Sequence, residues 1–207
     1  MTIDAVAARD AKRKLPAERH EELLAKAVEI SRVEGLSAVT LRRVATDLGV
    51  TPGLVSHYFS SAEQLIAAAF RTAAVADLDE ARARMGLTAT ATAKIGALMD
   101  YVLDDVSDEA SALWLDAWSL GRRHPTLAVE AATLTDEWLE CIGDVVDAGR
   151  ASGEFTVNDS GVAARRLLIM IDGLGAQKVI RDVPTDELKH IALAYFAFEL
   201  GVADSTA

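Results

Sequence analysis

The 207-residue sequence predicts an all-α fold, with an N-terminal three-helix unit, a larger helical domain and about nine helices in total. Three observations support this. Apolar residues recur at three- and four-residue spacing along nearly the whole chain. No convincing run of alternating β-branched residues appears. The four prolines and several glycines fall where helices would begin or stop. The expected division is an arm at 1–15, the small unit at 16–70 and the large domain at 71–207.

The first helix is expected over Pro16–Glu34, with Leu23, Leu24, Ala27, Val28 and Ile30 as its apolar stripe and Gly35 as its stop. Thr40 then reads as the N-cap of a short helix carrying Leu41, Val44, Ala45 and Leu48, ended by Gly49. Thr51 caps the next, with Pro52 at its first position, where the missing N–H costs nothing. Ser60 and Ser61 break that helix. Ser61 with Gln64 fits a capping box, so a long helix should run from there to about Met85, with Gly86 as its end. Weaker signals place the rest at Thr90–Asp104, Asp108–Arg123, Thr126–Ser152, Ser160–Arg181 and Thr185–Val202.

Apolar residues make up 51% and charged residues 26%, enough for a sizeable core without disulfides or metals. The one cysteine, Cys141, has no Cys or His at metal-ligand spacing, and it reads as a small buried apolar residue in a reducing, cytoplasmic setting. No apolar segment suits export, and the longest apolar run, Ile191–Phe198, is too short to span a bilayer. The net charge of −11 is unevenly spread. Residues 1–60 hold nine Lys/Arg and eight Asp/Glu, and the remainder holds 12 and 24. A near-neutral N-terminal part still binds DNA if its bases share a face, while an acidic remainder repels the duplex and orients the protein.

The informative segment is Thr40 to Leu65, TLRRVATDLGVTPGLVSHYFSSAEQL. It sets two short helices about a tight turn at Gly49–Val50. The second has an outer face of Thr51, Gly53, Ser56 and His57, small or hydrogen-bonding residues suited to close approach in a major groove. The segment resembles the helix-turn-helix DNA-binding domain of the TetR family of repressors. The resemblance rests on Thr40, on Arg42–Arg43–Val44–Ala45, on Gly49, and on Thr51–Pro52–Gly53–Leu54–Val55 with His57–Tyr58–Phe59, preceded by Glu34–Gly35–Leu36. It implies that Thr40 holds a phosphate and that Arg42 and Arg43 lie near the backbone or groove edge. It makes Thr51, Pro52, Gly53, Leu54, Ser56 and His57 the reading surface, with Tyr58 on a phosphate. The family often has Lys after the Ser-rich break, where this chain has Ala62. The plainer reading of Thr40 and Thr51 is as helix caps, and of His57 as a solvated surface residue. Arg9, Lys12, Arg13 and Lys14 form a candidate minor-groove arm or else a simple tail.

Beyond residue 70 the informative stretches are Ala112–Trp118, His124–Pro125, Glu137–Trp138, Gly149–Phe155 and Ile171–Leu174. On these the chain resembles the C-terminal region of the BetI-like subgroup, whose best-known members respond to choline. Trp114 and Trp118 share a helix face, and Trp138 on the next helix is a third candidate ligand contact. Rings beside carboxylates suit a cationic ligand. A neutral apolar ligand, or simple core packing of the Trp residues, is the alternative. The last two helices carry a surplus of apolar residues, Leu167, Leu168, Met170, Ile171 and Leu174, then Ile191, Leu193, Tyr195, Phe196 and Phe198. A homodimer through them would set two reading helices about 34 Å apart over a palindrome.

The function expected is a repressor that binds a double-stranded operator and is released by an unidentified small-molecule inducer. Control by a protein partner is the alternative. None of the four histidines sits in a metal-binding spacing, and there is no nucleophile elbow, P-loop or dinucleotide fingerprint. No enzyme activity, cofactor or metal is therefore expected.

Overall fold

Each helix of the N-terminal unit begins where a proline removes an orphan N–H of the first turn or a side chain accepts from one. In the computed structural model, which describes residues 14–104, 108–181 and 183–202, helix α1 spans Pro16–Glu34. Pro16 stands at its first position, and the Glu18 carboxylate reaches back to Leu15 N at 2.9 Å. Gly35 ends it at φ 88°, a conformation that favours glycine. A single 3-10 turn at Leu36–Ala38, which the periodicity did not reveal, follows. Thr40 and Thr51 cap α2 (Leu41–Asp47) and α3 (Pro52–Tyr58) by accepting from Arg43 N and Leu54 N. Ser61 caps α4 (Ala62–Gly86) by accepting from Gln64 N at 3.1 Å. The returning arm of that box differs from expectation. Gln64 Oε1 accepts from Ser60 N, at 2.8 Å, rather than from Ser61 N.

The larger domain adds α5 (Ala91–Val102), α6 (Asp108–Gly121), α7 (Pro125–Ser152), α8 (Ser160–Arg181) and α9 (Thr185–Leu200). Nine α-helices and no strand occur among the described residues. None of these helices is long and apolar enough to cross a membrane.

Two apolar clusters hold the chain together. One takes the inner faces of α1 to α3 and the first half of α4, with Leu23, Leu36, Leu65 and Phe70 fully enclosed. It also takes in Leu113 and Ala117 of α6 and Leu127, Ala131 and Leu134 of α7, so the N-terminal core continues beyond residue 70. The other gathers the second half of α4, α5, the later part of α7, α8 and α9. Helix α4 therefore runs through both, packed on α1 in its first part, on α5 in its second and on α7 along both. Burying each large apolar side chain contributes about 1.5–3 kcal/mol.

The surplus of apolar residues on α8 and α9 divides in a way that differs from expectation. Leu167, Leu168, Ile171, Leu174 and Phe196 are buried in the chain's own core. Ile191, Leu193 and Phe198 face outward, and so do Val162, Ile169 and Ile180. Phe198 is 83% exposed, Ile180 72% and Ile169 64%. The reason is helical phase. Ile169 and Ile180 are 11 residues apart, three turns, and fall opposite the stripe of Leu167, Ile171 and Leu174.

Candidate nucleic-acid interface and buried cavity

Helices α2 and α3 are pinned from beneath by Val44, Ala45, Val55 and Phe59, all buried. Their tight connection turns on Gly49 at φ 64°, and Val50 N donates to Ala45 O at 2.9 Å. Pinning one face commits the other to solvent. Thr40, Arg42, Thr51, Pro52, Gly53, Ser56 and His57 are exposed, and Leu54 and Tyr58 are half-buried. The Thr40 and Thr51 hydroxyl oxygens accept the capping bonds, at 3.0 and 3.3 Å, which leaves each O–H proton available to an outside acceptor. Ser56 Oγ instead turns back to Pro52 O at 3.0 Å. The Tyr58 ring meets His57 edge-on, with centroids 5.2 Å apart.

The two arginines separate. Arg42 makes no side-chain ion pair among the described residues. Arg43 is occupied: its two terminal nitrogens donate to Glu34 at 2.5 and 2.7 Å, and Nε donates to both oxygens of Asp47 at 3.0 Å. These partners raise the Arg43 pKa above its ordinary value, the Glu34 hydrogen bond most of all. Arg43 ties α2 to the end of α1. Of the candidate arm, Arg9, Lys12 and Arg13 lie outside the described residues. Lys14 pairs with Glu22 at 2.5 Å.

Inside the larger domain, α4 to α8 surround a cavity of about 70 Å³. Its walls bring together all three tryptophans. Trp114 and Trp118 come from α6, with ring centroids 5.9 Å apart, and Trp138 comes from α7. Trp138 is 8% exposed and Trp118 39%, so the rings grade from interior to surface. Tyr101 completes the aromatic lining, its hydroxyl pushed up to about 12 by burial.

Two carboxylates, Asp77 of α4 and Asp172 of α8, also line the cavity. Burial raises the Asp172 pKa to about 6. Burial raises that of Asp77 too, although Arg32 pulls the other way. Arg32 Nη2 donates to Asp77 Oδ1 at 2.7 Å, while the buried Asp77 Oδ2 accepts no hydrogen bond among the described residues. Asp116 lies between two cavity tryptophans in sequence yet faces the other way, and its Oδ2 accepts from Leu36 N at 2.7 Å.

The sequence carried a signal for Asp77 and Asp172. Asp77 sits on the apolar stripe of Ala73, Ala74, Leu78 and Ala81, and Asp172 interrupts Leu167–Leu174. A lone charge inside an apolar stripe marks a buried site. Arg32 and Asp116 carried no such signal, because both look like ordinary surface charges of amphipathic helices.

A family profile described as bacterial regulatory proteins, tetR family, matches residues 23–69. A second, described as BetI-type transcriptional repressor, C-terminal, matches residues 91–201, over half of the chain. The chain belongs to the TetR family, with a BetI-type C-terminal domain. It is a DNA-binding transcriptional regulator and not an enzyme. The regulator BetI of Rhizobium meliloti (strain 1021) is 28% identical over 181 residues, 84% of this chain and 85% of that protein. BetI 1 of Chromohalobacter salexigens is 29% identical, over 91% of this chain and 92% of its own length. Among solved structures, a transcriptional regulator from Saccharomonospora viridis in complex with choline aligns at TM-score 0.76 and 22% identity. It covers 88% of this chain and 96% of its own. The fatty acid degradation regulator FadR of Bacillus halodurans aligns at 0.69 and 17% identity, covering 89% and 96%. This TetR-family architecture thus accompanies regulators of different chemistry, and the cavity residues must carry the argument about a ligand.

Proposed function

We propose that this TetR-family chain is a repressor that binds a two-fold operator as a homodimer and is released by a compact organic cation of the quaternary ammonium class. The proposed division is a DNA-reading unit at 16–70 and a regulatory and dimerisation domain at 71–207. Thr40, Arg42, Thr51, Pro52, Gly53, Leu54, His57 and Tyr58 meet the duplex. Arg43 and Ser56 stand on the same side but already hold partners in the chain, Glu34 and Asp47 for the one and Pro52 O for the other. The dimer forms through α8 and α9, whose outward Ile169, Ile180, Ile191, Leu193 and Phe198 make a patch of the kind that marks an interface.

One observation carries the ligand reading. Three tryptophans and a tyrosine surround a small space lined also by two carboxylates, the buried Asp77 and the half-buried Asp172. Rings attract a cation through their faces, by about 0.5–2 kcal/mol each, and the carboxylates supply opposite charge where water is scarce. A neutral apolar ligand would offer no charge to Asp172 or to the Asp77 oxygen that Arg32 leaves free among the described residues. The choline held by the Saccharomonospora viridis relative makes choline the first compound to try.

The test pairs two titrations. The protein is first bound to labelled DNA from upstream of its own gene, and choline, polyamines and neutral aromatics are then added while anisotropy and Trp fluorescence are read. Choline should quench Trp fluorescence and release DNA. Release by neutral compounds alone would refute the cation, and an absence of upstream binding would refute operator recognition.

A further inference from the structure

We infer that Asp77 is shared between the ligand and the DNA-reading unit: a cation entering the cavity competes with Arg32 for this carboxylate, and so unfastens the end of α1. The inference rests on the cationic-ligand reading above and concerns how occupancy is transmitted.

Asp77 belongs to two places at once. It lines the cavity from α4, and its Oδ1 accepts from Arg32, in the last turn of α1. The same Arg32 nitrogen also donates to Ala73 O at 3.1 Å. Asp77 is 8% exposed, and its Oδ2 is buried without a hydrogen-bond donor among the described residues. A buried carboxylate with only one oxygen satisfied has a large unmet demand for positive charge. A cation in the cavity meets it. Charge donated there weakens the hold on Arg32, because the two cations then compete for, and repel each other across, one carboxylate.

What Arg32 fastens is the junction that positions the reading helices. Four residues on, Leu36 N is held by Asp116 of α6. Two residues on, Glu34 grips Arg43 of α2. The junction therefore hangs from α4 through Asp77 and from α6 through Asp116, and both helices also wall the cavity. Loss of the Asp77 link leaves the end of α1 held by Asp116, by the Arg32–Ala73 O bond and by its apolar packing, a looser hold, and α2 moves with it through the Glu34–Arg43 pair. A ligand shifts such an equilibrium only by its differential affinity for the two arrangements, and competition for Asp77 supplies that difference.

The experiment uses the full-length protein, choline as probe, calorimetry for choline binding and anisotropy for operator DNA. Arg32→Met should act in opposite directions on the two partners. Choline should bind about fivefold or more tighter, because Asp77 has lost its competitor, and DNA should bind more weakly even without choline. The factor by which choline weakens DNA binding, commonly between about 5 and 150, should collapse towards one. Asp77→Asn should weaken choline about tenfold or more and likewise abolish coupling. Arg32→Lys, which keeps the charge in a changed geometry, should fall between wild type and Arg32→Met, and it carries the test if Arg32→Met does not fold. An Arg32→Met protein with wild-type choline affinity and intact coupling overturns the shared carboxylate while leaving the cationic ligand standing, and so does one that binds both partners more weakly. Absence of choline binding to the wild type overturns the ligand reading and the competition with it.

Discussion

The Asp116 carboxylate lies 2.7 Å from the backbone nitrogen of Leu36, and its Oδ2 is only 2.6 Å from where a Cβ on Gly35 would stand. One interaction thus joins the helix carrying two cavity tryptophans to the turn that leads into the reading helices. Gly35 is doubly constrained, by φ 88° and by this approach. Asp116→Ala leaves the Leu36 N–H without its acceptor, at a cost of about 1–3 kcal/mol. Gly35→Ala adds backbone strain of about 1–3 kcal/mol and pushes the carboxylate away. Both variants should lose thermal stability and bind operator more weakly. A Gly35→Ala protein with wild-type melting temperature and DNA affinity would remove this contact from any structural or signalling role.

Gly53 separates folding from recognition. A Cβ there would meet nothing closer than Thr51 Oγ1, at 4.0 Å, so the protein itself has no steric need for glycine. Gly53→Ala should raise stability, by up to about 1 kcal/mol on helix propensity. If the α3 backbone closes on DNA at this point, the same change should weaken operator binding about tenfold, or about 1.4 kcal/mol. Opposite signs in melting and binding are the expected signature. Unchanged affinity would move the reading surface away from the start of α3.

The outward apolar face of α8 and α9 has a direct test. Phe198→Glu with Ile180→Glu places two charges where Phe198 and Ile180 stand exposed. The double variant should sediment as a monomer at micromolar concentration, fold normally because neither residue is buried, and bind a palindrome no better than a half-site. A wild-type protein that is already monomeric at that concentration would contradict the dimer outright.

Much of the helical layout was legible because caps and stops are local. Thr40, Thr51 and Ser61 each accept from a backbone N–H three residues on, and Pro16 needs no partner, so sequence spacing suffices to place the starts of α1 to α4. The outer face of α2 and α3 was legible for the same reason. What escaped depends on distant partners. The sequence places Arg43 near the groove edge but does not show that Glu34, nine residues earlier, pairs with it. Arg32 and Asp77 are 45 residues apart, and Leu36 and Asp116 are 80. No helical period relates such pairs. The division of α8 and α9 into inward and outward apolar residues escaped differently, since a surplus can be counted without knowing which stripe faces the core.

A glycine in the last turn of α7 is constrained by a residue beyond the helix's end. A Cβ on Gly149 would stand 2.1 Å from the Phe155 ring, and Gly149 O accepts from both Glu154 N and Phe155 N. The chain folds back so tightly after Gly153 that Phe155, itself buried, lies on the glycine. Gly149→Ala should therefore destabilise, against its helix propensity, by about 1–3 kcal/mol of overpacking. The double change Gly149→Ala with Phe155→Leu should recover part of that loss in denaturant melts. Additive losses would mean that the ring is not the obstacle.

Asp172 gives the cavity a pH signature. Burial raises its pKa from the ordinary 3.8 to about 6, so the folded protein holds this proton more tightly than the unfolded chain does. The sign follows from linkage. Below about pH 4 both states are protonated and the group costs nothing. As pH rises from about 4 to about 6, the unfolded chain releases its proton first and stability falls. Above about pH 6 the full penalty stands, up to about 3 kcal/mol. Asp172→Asn should therefore stabilise the protein at pH 8 and leave it unchanged at pH 4. A bound cation favours the carboxylate, so choline should bind the wild type more tightly as pH rises through about 6, with release of a proton. In Asp172→Asn that dependence should flatten. Calorimetry in two buffers of different ionisation enthalpy reads the proton directly. A wild-type affinity that does not change between pH 5 and 7.5 would mean that Asp172 does not face the ligand charge, whatever else occupies the cavity.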